Sequence, residues 1–129
     1  MATLEQERAA FALKKVDEVK GGKDKAKFKT QLLKLPARLH NNGLGQTVAF
    51  YLSAGKEKPE VIICGWIEAW LQDRRIYLGG RLIDNIAGQR LPPDEAEVRY
   101  HEASVEVRAL AVWLKRFAEA FIEGEEEAK

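Results

Sequence analysis

The chain has 129 residues, 46% hydrophobic and 32% charged, which is enough for one folded domain with a substantial core. Its formal net charge of +1 comes from a mixture of both signs and excludes a disordered polyelectrolyte. A single cysteine excludes a disulfide framework, and the longest apolar run, residues 61–67, is too short to span a membrane. Because residues 1–20 are charged throughout, no secretory signal is visible and we expect a cytoplasmic protein.

The first half of the chain predicts three helices. Thr3 followed by Gln6 is a capping-box start for the first, which the glycine pair at 21–22 should stop. A stripe with spacings of four, three and four residues predicts the second helix; its members are Phe28, Leu32, Leu35 and Leu39. This stripe continues past Pro36, where we expect a kink and no helix end. Residues 41–43, Asn-Asn-Gly, should close the helix, and a third should run from Leu44 to Leu52.

The glycine-rich stretch "NNGLGQT" has two interpretations, a phosphate-binding loop or a sharp turn between helices. A Walker-type loop needs a lysine, which is absent between Gly43 and Lys56, and the dinucleotide pattern needs a glycine where Val48 stands. Both loops also need a preceding strand, which the helical stripe excludes. The turn interpretation is favoured: Gly43 ends one helix, and Gly45 allows the next to pack closely from its start.

The second half predicts a loop over 53–60, an apolar helix over 60–78, a short helical turn over 81–88 and a long last helix. Trp66 and Trp70 should be core residues, and Asp94 should cap the last helix. The seam of the last helix alternates spacings of three and four, which is typical of antiparallel bundles; it comprises Tyr100, Ala103, Val107, Leu110, Leu114, Phe117 and Phe121. The predicted fold is an all-α, single-domain helical bundle over 1–129, with about five main helices, a short one and a frayed acidic tail at 123–129.

No catalytic or metal-binding constellation is present in the sequence. Cys64 lies among apolar residues, as expected of inert packing, and the two histidines, His40 and His101, lack metal-ligand spacing. Glu102 and Glu106 share one helix face, where we expect solvated charges. We therefore predict that the protein is no enzyme and has no metal, no cofactor and no small-molecule substrate.

A basic row is the best candidate for binding. Lys27, Gln31, Lys34 and Arg38 repeat the spacing of the apolar stripe one residue out of phase, about 100° around the helix. Residues 1–38 hold ten Lys or Arg against five Asp or Glu, whereas residues 94–129 hold five against ten. The predicted contacts with RNA phosphates are Lys20, Lys23, Lys27, Lys34, Arg38, Arg74, Arg75, Lys115 and Arg116. The alternative is that these cations belong to ordinary solvated helix faces.

Three further residues are candidates for contacts with a protein partner. Trp113 adjoins the seam of the last helix, and we expect it to be a core residue like the other two tryptophans. If one of the three is partly exposed, Trp113 is the candidate for a contact, because it precedes Lys115-Arg116. Asn41 and Asn42 either cap a helix or touch a neighbouring molecule.

Two stretches resemble the small helical subunit of type III-B CRISPR (Cmr) RNA-silencing effector complexes. The first is "LPARLHNNGLGQTVAFYL", similar to a family pattern of Leu-Pro, Asn-Gly-Leu-Gly-Gln and Ala-Phe. The second is "YHEASVEVRALAVWLKRFAEA", with Tyr100, Ala103 and residues 113–118 in matching order. Where the family often has Thr and Arg after the alanine, this chain has Ser104 and Val105, which removes a basic contact at 105.

The resemblance implies a non-catalytic subunit whose copies stack along the effector, beside the backbone and large subunits, and help line the groove where target RNA pairs with guide RNA. Because base pairing reads the sequence, such a subunit needs no base-specific contacts. Two alternatives remain: the small subunit of a type III-A (Csm) effector, and a helical scaffold without an RNA surface. Changing Lys27, Lys34 and Arg38 together to Glu should weaken RNA capture and leave folding intact.

Overall fold

A computed structural model describes residues 2–124, and these form an all-α bundle. The helices are α1 (Leu4–Val19), α2 (Lys25–Leu52), α3 (Pro59–Asp73), the short α4 (Leu82–Ile86) and α5 (Pro93–Phe121). Helix α5 packs against α1 and α2, and α2 also packs against α3. The predicted fold class is confirmed, whereas most of the tail predicted to fray, residues 125–129, lies outside the described part of the chain.

The core follows the predicted stripes closely. Leu32, Leu35 and Leu39 of α2 are buried, as are Val107, Leu110 and Leu114 on the seam of α5. Trp66 and Trp70 are only 6% and 3% exposed, so both are core residues as predicted. The far end of the seam departs from the pattern: Phe121 is exposed, and Ile122 is buried in its place because the chain leaves the helix with extended dihedrals there.

The junction at Gly43 divides α2 into the two segments that the sequence predicts as separate helices. The Thr3–Gln6 capping box forms as expected at the start of α1, and the backbone departs from helical dihedrals within α2 at Gly43, with φ 82° and ψ 168°. This conformation is essentially restricted to glycine. Gly45, two residues later, lies in a tightly packed position, where an added Cβ would lie 3.3 Å from Ile86 Cγ2. Its N–H donates to the Tyr100 hydroxyl at 3.1 Å. The turn interpretation of the glycine-rich stretch is confirmed.

Helix α3 ends five residues earlier than predicted. The N–H of Arg75 donates to the Gln72 carbonyl at 3.0 Å, and the N–H of Ile76 donates to the Leu71 carbonyl at 2.9 Å. These two bonds form a Schellman motif, which normally carries glycine at the left-handed position. Arg75 occupies that position here, with φ 58°. The prediction failed because the apolar residues 76–78 continue the helical period and no glycine marks the stop.

The start of α5 also differs from the prediction. Its N-cap is Pro92, no side chain caps it, and Pro93 is the first helical residue. Proline suits that position because its fixed φ is helical and its missing N–H is not needed there. Asp94 therefore lies inside the first turn, where its charge favours the helix dipole without capping.

The prediction that Glu106 is a solvated charge is wrong. Glu106 is 7% exposed, and its carboxylate accepts hydrogen bonds from Arg8 Nε at 2.6 Å, Arg8 Nη2 at 2.9 Å and Trp70 Nε1 at 3.0 Å. We call these three residues the Glu106 cluster; it joins α1, α3 and α5. The hydrogen bonds from Arg8 hold the pKa of Glu106 below its ordinary value despite burial, which acts in the opposite direction. Glu102 is exposed as predicted.

Candidate nucleic-acid interface

The basic row lies along the first segment of α2, as its spacing predicts. Lys27 and Lys34 are exposed, whereas Gln31 and Arg38 are half-buried. Among the residues described, neither lysine has a carboxylate within 4.0 Å. The two lysines are seven positions apart on the helix, about 10 Å along the axis. The row therefore offers two free ammonium groups on one helix face.

Arg38 differs from the two lysines because its guanidinium is tied to its own helix. Its Nη1 donates to the Tyr51 hydroxyl at 3.1 Å and to the Gln31 side-chain oxygen. The Tyr51 hydroxyl in turn donates to the Gln31 carbonyl at 3.0 Å, and burial raises the pKa of Tyr51 to about 12, so that proton is retained. The guanidinium thereby joins the two segments of α2 across Gly43.

Phe50 is a surface residue that the sequence analysis missed. Its side chain is 58% exposed, and the Arg38 guanidinium lies 5.1 Å from its ring centroid. An exposed aromatic ring beside cations is a platform on which an unpaired base can stack. The sequence analysis missed Phe50 because the apolar pattern of residues 44–52 indicates a buried helix face. The exposed fraction of the Phe50 side chain shows that it lies outside that face.

A polar groove extends the row towards α3. Its volume is about 410 Å³, and Lys27, Gln31, Lys58 and Glu60 are among its lining residues. Lys58 is the N-cap of α3 and has no side-chain capping bond. The sequence analysis did not include Lys58 because it belongs to a loop and has no periodic relation to the α2 row.

The other predicted cations fall into two groups. Lys20, Arg74 and Arg116 form ion pairs with Asp17, Glu7 and Glu119 at 3.0, 3.1 and 3.3 Å. Lys23, Arg75 and Lys115 have no carboxylate within 4.0 Å among residues 2–124. Within the same residues, no hydrogen bond or ion pair joins any of these six to the basic row. Of the nine, Lys27, Lys34 and Arg38 share one face of α2 by their spacing.

The candidates for protein contact lie at the surface. Asn41 and Asn42 are exposed at the end of the first α2 segment, and Trp113 is half-buried, with its ring centroid 5.5 Å from that of Phe117. Trp113 also borders an apolar cavity of about 300 Å³. Next to it, α5 exposes Val98, Val105 and Val112 at intervals of seven residues. We call these three residues the valine stripe; the spacing places them on one helix face.

The one cysteine of the chain, Cys64, lies in the core. Cys64 is buried, and burial raises the pKa of its thiol to about 12, so the nucleophilic thiolate is disfavoured. Over residues 2–124, no group of three or more His, Cys, Asp or Glu side chains is placed to hold a metal ion. Across the same residues, none of the helices combines the length and apolar character needed to cross a membrane.

Comparison with known proteins identifies the family. Residues 4–121 match the family described as CRISPR-associated protein (Cas_Cmr5). A curated relative, the CRISPR system Cmr subunit Cmr5 of Thermus thermophilus, is 35% identical over 124 residues, which cover 95% of this chain and 99% of the relative. The crystal structure of a CRISPR-associated Cmr5 family protein from the same organism superimposes with a TM-score of 0.74 at 31% identity, covering 95% of this chain and all of the other. The chain therefore belongs to the Cmr5 family of CRISPR-associated proteins, the family that its glycine-rich turn and its last helix resemble.

Proposed function

We propose that this chain is the non-catalytic small subunit of a type III-B CRISPR (Cmr) effector complex in the cytoplasm. In this role it packs against the backbone and large subunits and against further copies of itself, and it lines part of the groove that holds guide and target RNA. The observation that carries the proposal is the family match over residues 4–121, supported by a relative that is itself a Cmr subunit.

The RNA-contacting surface in this proposal is the basic row with Phe50 and Lys58 beside it. Lys27 and Lys34 are free of carboxylate partners in the part of the chain that the structure describes, so a phosphate does not have to displace an intramolecular ion pair. Ammonium groups contact phosphates without reading bases, and the ring of Phe50 adds stacking that tolerates any base. Both properties suit a subunit of a complex in which base pairing supplies the specificity.

The protein-contacting surface in this proposal is the valine stripe of α5 together with Trp113. Exposed apolar side chains in register along one helix are typical of a face that packs against another helix. This surface also favours the second candidate function, a helical scaffold without RNA contacts. The two candidates differ only in the role of α2, and a charge reversal there separates them.

The test is RNA capture by the reconstituted complex, measured against salt concentration. The double variant Lys27→Glu/Lys34→Glu should lose affinity for target RNA and show a shallower dependence of log K on log salt, since each lost phosphate contact removes about 0.7 from the slope for a single strand. Arg38→Glu is left out of this variant because Arg38 bonds Tyr51, which makes the triple change expected from the sequence unsuitable for a test of binding alone.

A matched control is Lys14→Glu/Arg108→Glu, which changes the net charge equally at exposed positions of α1 and α5. The control should retain most of the affinity for RNA. Equal losses in both variants would mean that only the overall charge matters, and no loss in either would favour the scaffold function.

A further inference from the structure

A second candidate site lies at the C-terminal end of α3, whereas the groove beside the basic row lies at its N-terminal end. The segment 75–79, α4 and the start of α5 surround a cavity of about 320 Å³, which we call the Tyr77 cavity. This volume is at the lower end of the range for small-ligand sites in proteins. Three guanidinium groups, Arg75, Arg90 and Arg99, line it against one carboxylate, Glu95. The lining therefore favours an anion.

The arginines differ in how much of their hydrogen-bonding capacity is already used. Arg99 Nη1 donates to Glu102 Oε1 at 3.0 Å. Among the residues described, no carboxylate lies within 4.0 Å of Arg75 or Arg90, and this holds for Glu95 of the cavity lining as well. Guanidinium groups without partners bind phosphate oxygens with two parallel hydrogen bonds, so these two side chains are available to a phosphate.

The walls of the cavity are held in place by backbone features. Asn85 Nδ2 donates to the Gly79 carbonyl at 2.8 Å and to the Arg81 carbonyl at 2.9 Å, which fixes the segment before α4. Gly80 has φ +77°, and a Cβ added there would lie 2.9 Å from Arg90 Cδ and Nε. The Arg90 side chain therefore lies against the backbone of Gly80, whose positive φ favours glycine. The chain changes direction at the Schellman motif that ends α3, and Arg75 and Tyr77 after it both line the cavity.

Tyr77 supplies a donor that the protein itself does not use. Its side chain is 3% exposed, and its hydroxyl is the one buried side-chain N or O atom in residues 2–124 without a hydrogen-bond partner. Leaving such a group unpaired costs about 1–3 kcal/mol. Because the hydroxyl oxygen is closed to solvent, a bound acceptor recovers that cost only if binding moves the Tyr77 side chain towards the ligand. Burial raises the pKa of Tyr77 to about 12, so the hydroxyl keeps its proton and acts as a donor.

The rest of the lining is apolar. Ile76, Leu78 and Leu91 border the cavity, and Leu78 is exposed. An inorganic anion would leave these side chains without contacts, whereas a base or sugar would cover them. We propose that the Tyr77 cavity binds one nucleoside phosphate unit, with the phosphate on Arg75 and Arg90, the Tyr77 hydroxyl as a donor, and the nucleoside against the apolar wall. The unit is either a free mononucleotide or one nucleotide of a strand.

This inference goes beyond the proposed RNA surface. It shares Arg75 with the cations predicted from sequence, but it needs neither the basic row nor an assembled complex. The variant Lys27→Glu/Lys34→Glu should therefore bind a mononucleotide as well as the unaltered protein does. Failure of one proposal leaves the other intact.

The test uses the full chain with three probes: adenosine 5′-monophosphate, inorganic phosphate and a six-nucleotide oligouridine. Affinities are measured by titration calorimetry and by ligand-observed saturation-transfer NMR. Arg75→Ala/Arg90→Ala should weaken binding of the mononucleotide or the oligonucleotide at least tenfold. Lys14→Ala/Arg108→Ala, which removes two exposed cations outside the cavity, should leave it unchanged.

Tyr77→Phe provides a variant that does not threaten the fold. The hydroxyl has no partner in the described part of the protein, so its removal should not lower stability, yet it should weaken binding of the nucleotide severalfold. Binding of the oligonucleotide alone, lost in the same variants, supports the proposal with a strand as the source. Four results would overturn it. Two concern the probes: inorganic phosphate binds as tightly as the mononucleotide, or none of the three probes binds. The other two concern the variants: the control loses as much affinity as Arg75→Ala/Arg90→Ala, or Tyr77→Phe binds the nucleotide as well as the unaltered protein does.

Discussion

The Glu106 cluster and the basic row both contain charged side chains on helices, but they differ in where the opposite charge comes from. In the cluster, Arg8 and Glu106 neutralise each other inside the bundle, with Trp70 donating a further bond. In the row, Lys27 and Lys34 lie in solvent, and in the described part of the chain no carboxylate lies within 4.0 Å of them. A charge with an internal partner contributes to the fold, whereas a charge without one is available to another molecule.

The largest expected effect is on the cluster. Glu106→Ala removes the partner of Arg8, whose side chain is only 14% exposed, and leaves the Trp70 N–H unpaired. Loss of one member of a buried ion pair typically costs 3–5 kcal/mol, and because Glu5 still accepts from Arg8 we expect about 3 kcal/mol here. Urea unfolding followed by circular dichroism measures the change in the free energy of unfolding.

Glu102→Ala is the matched control for this change. Glu102 is on the same helix four residues earlier, is exposed, and pairs with Arg99 at 3.0 Å. An exposed pair of this kind contributes about 0–1 kcal/mol, so the control should be nearly neutral. Equal effects of the two substitutions would contradict the distinction between the cluster and the surface charges.

The pH dependence of stability gives a second measure of the cluster. The hydrogen bonds from Arg8 lower the folded-state pKa of Glu106 below its ordinary value of 4.5, so the unfolded chain takes up this proton at a higher pH than the folded one. The stabilisation is fully present above pH 4.5 and is lost as the pH falls through the lowered pKa. The difference in unfolding free energy between the unaltered protein and Glu106→Gln should be about 2 kcal/mol near pH 7 and should narrow below pH 4.5. A difference that stayed constant down to about pH 3 would show that the charge of Glu106 contributes nothing.

Arg38 tests the boundary between the two regions, since it belongs to the row by spacing and to the fold by contact. Arg38→Ala loses the bond to Tyr51 and the cation–π contact with Phe50, and we expect a loss of about 1–2 kcal/mol. Arg38→Lys keeps the charge but loses the planar fork, so it should recover only part of that stability. If Arg38→Ala unfolds with the same free energy as the unaltered protein, Arg38 contributes nothing to stability and is a free surface cation like Lys27 and Lys34.

The distinction between patterns within one helix and contacts between distant residues explains how much of the structure could be predicted from the sequence. Apolar periodicity locates Leu32, Leu35 and Leu39 correctly, because burial of a helix face depends on spacing within one element. The break at Gly43 was also predictable, since only glycine adopts its backbone conformation at low cost. The end of α3 was not, because Arg75 adopts a left-handed conformation that nothing in the local sequence indicates.

Contacts between distant segments account for the other errors. Glu106 and Arg8 are 98 residues apart, and nothing in the local sequence of either distinguishes it from a solvated charge. Phe50 and Arg38 meet only because the chain bends at Gly43 between them. Spacing within a helix therefore predicted the candidate RNA face in outline, while the partner of each charge required the three-dimensional structure.

The smallest effect on stability is expected for the two free lysines. Lys27→Ala and Lys34→Ala should each change the free energy of unfolding by less than about 0.5 kcal/mol, because neither removes an ion pair or a buried contact within the described residues. In the reconstituted complex, each should nevertheless reduce the salt dependence of RNA binding by about 0.7, provided that each lysine meets one phosphate. The opposite result, lower stability with an unchanged salt slope, would mean that the row belongs to the fold as the Glu106 cluster does, and the two regions would no longer differ in kind.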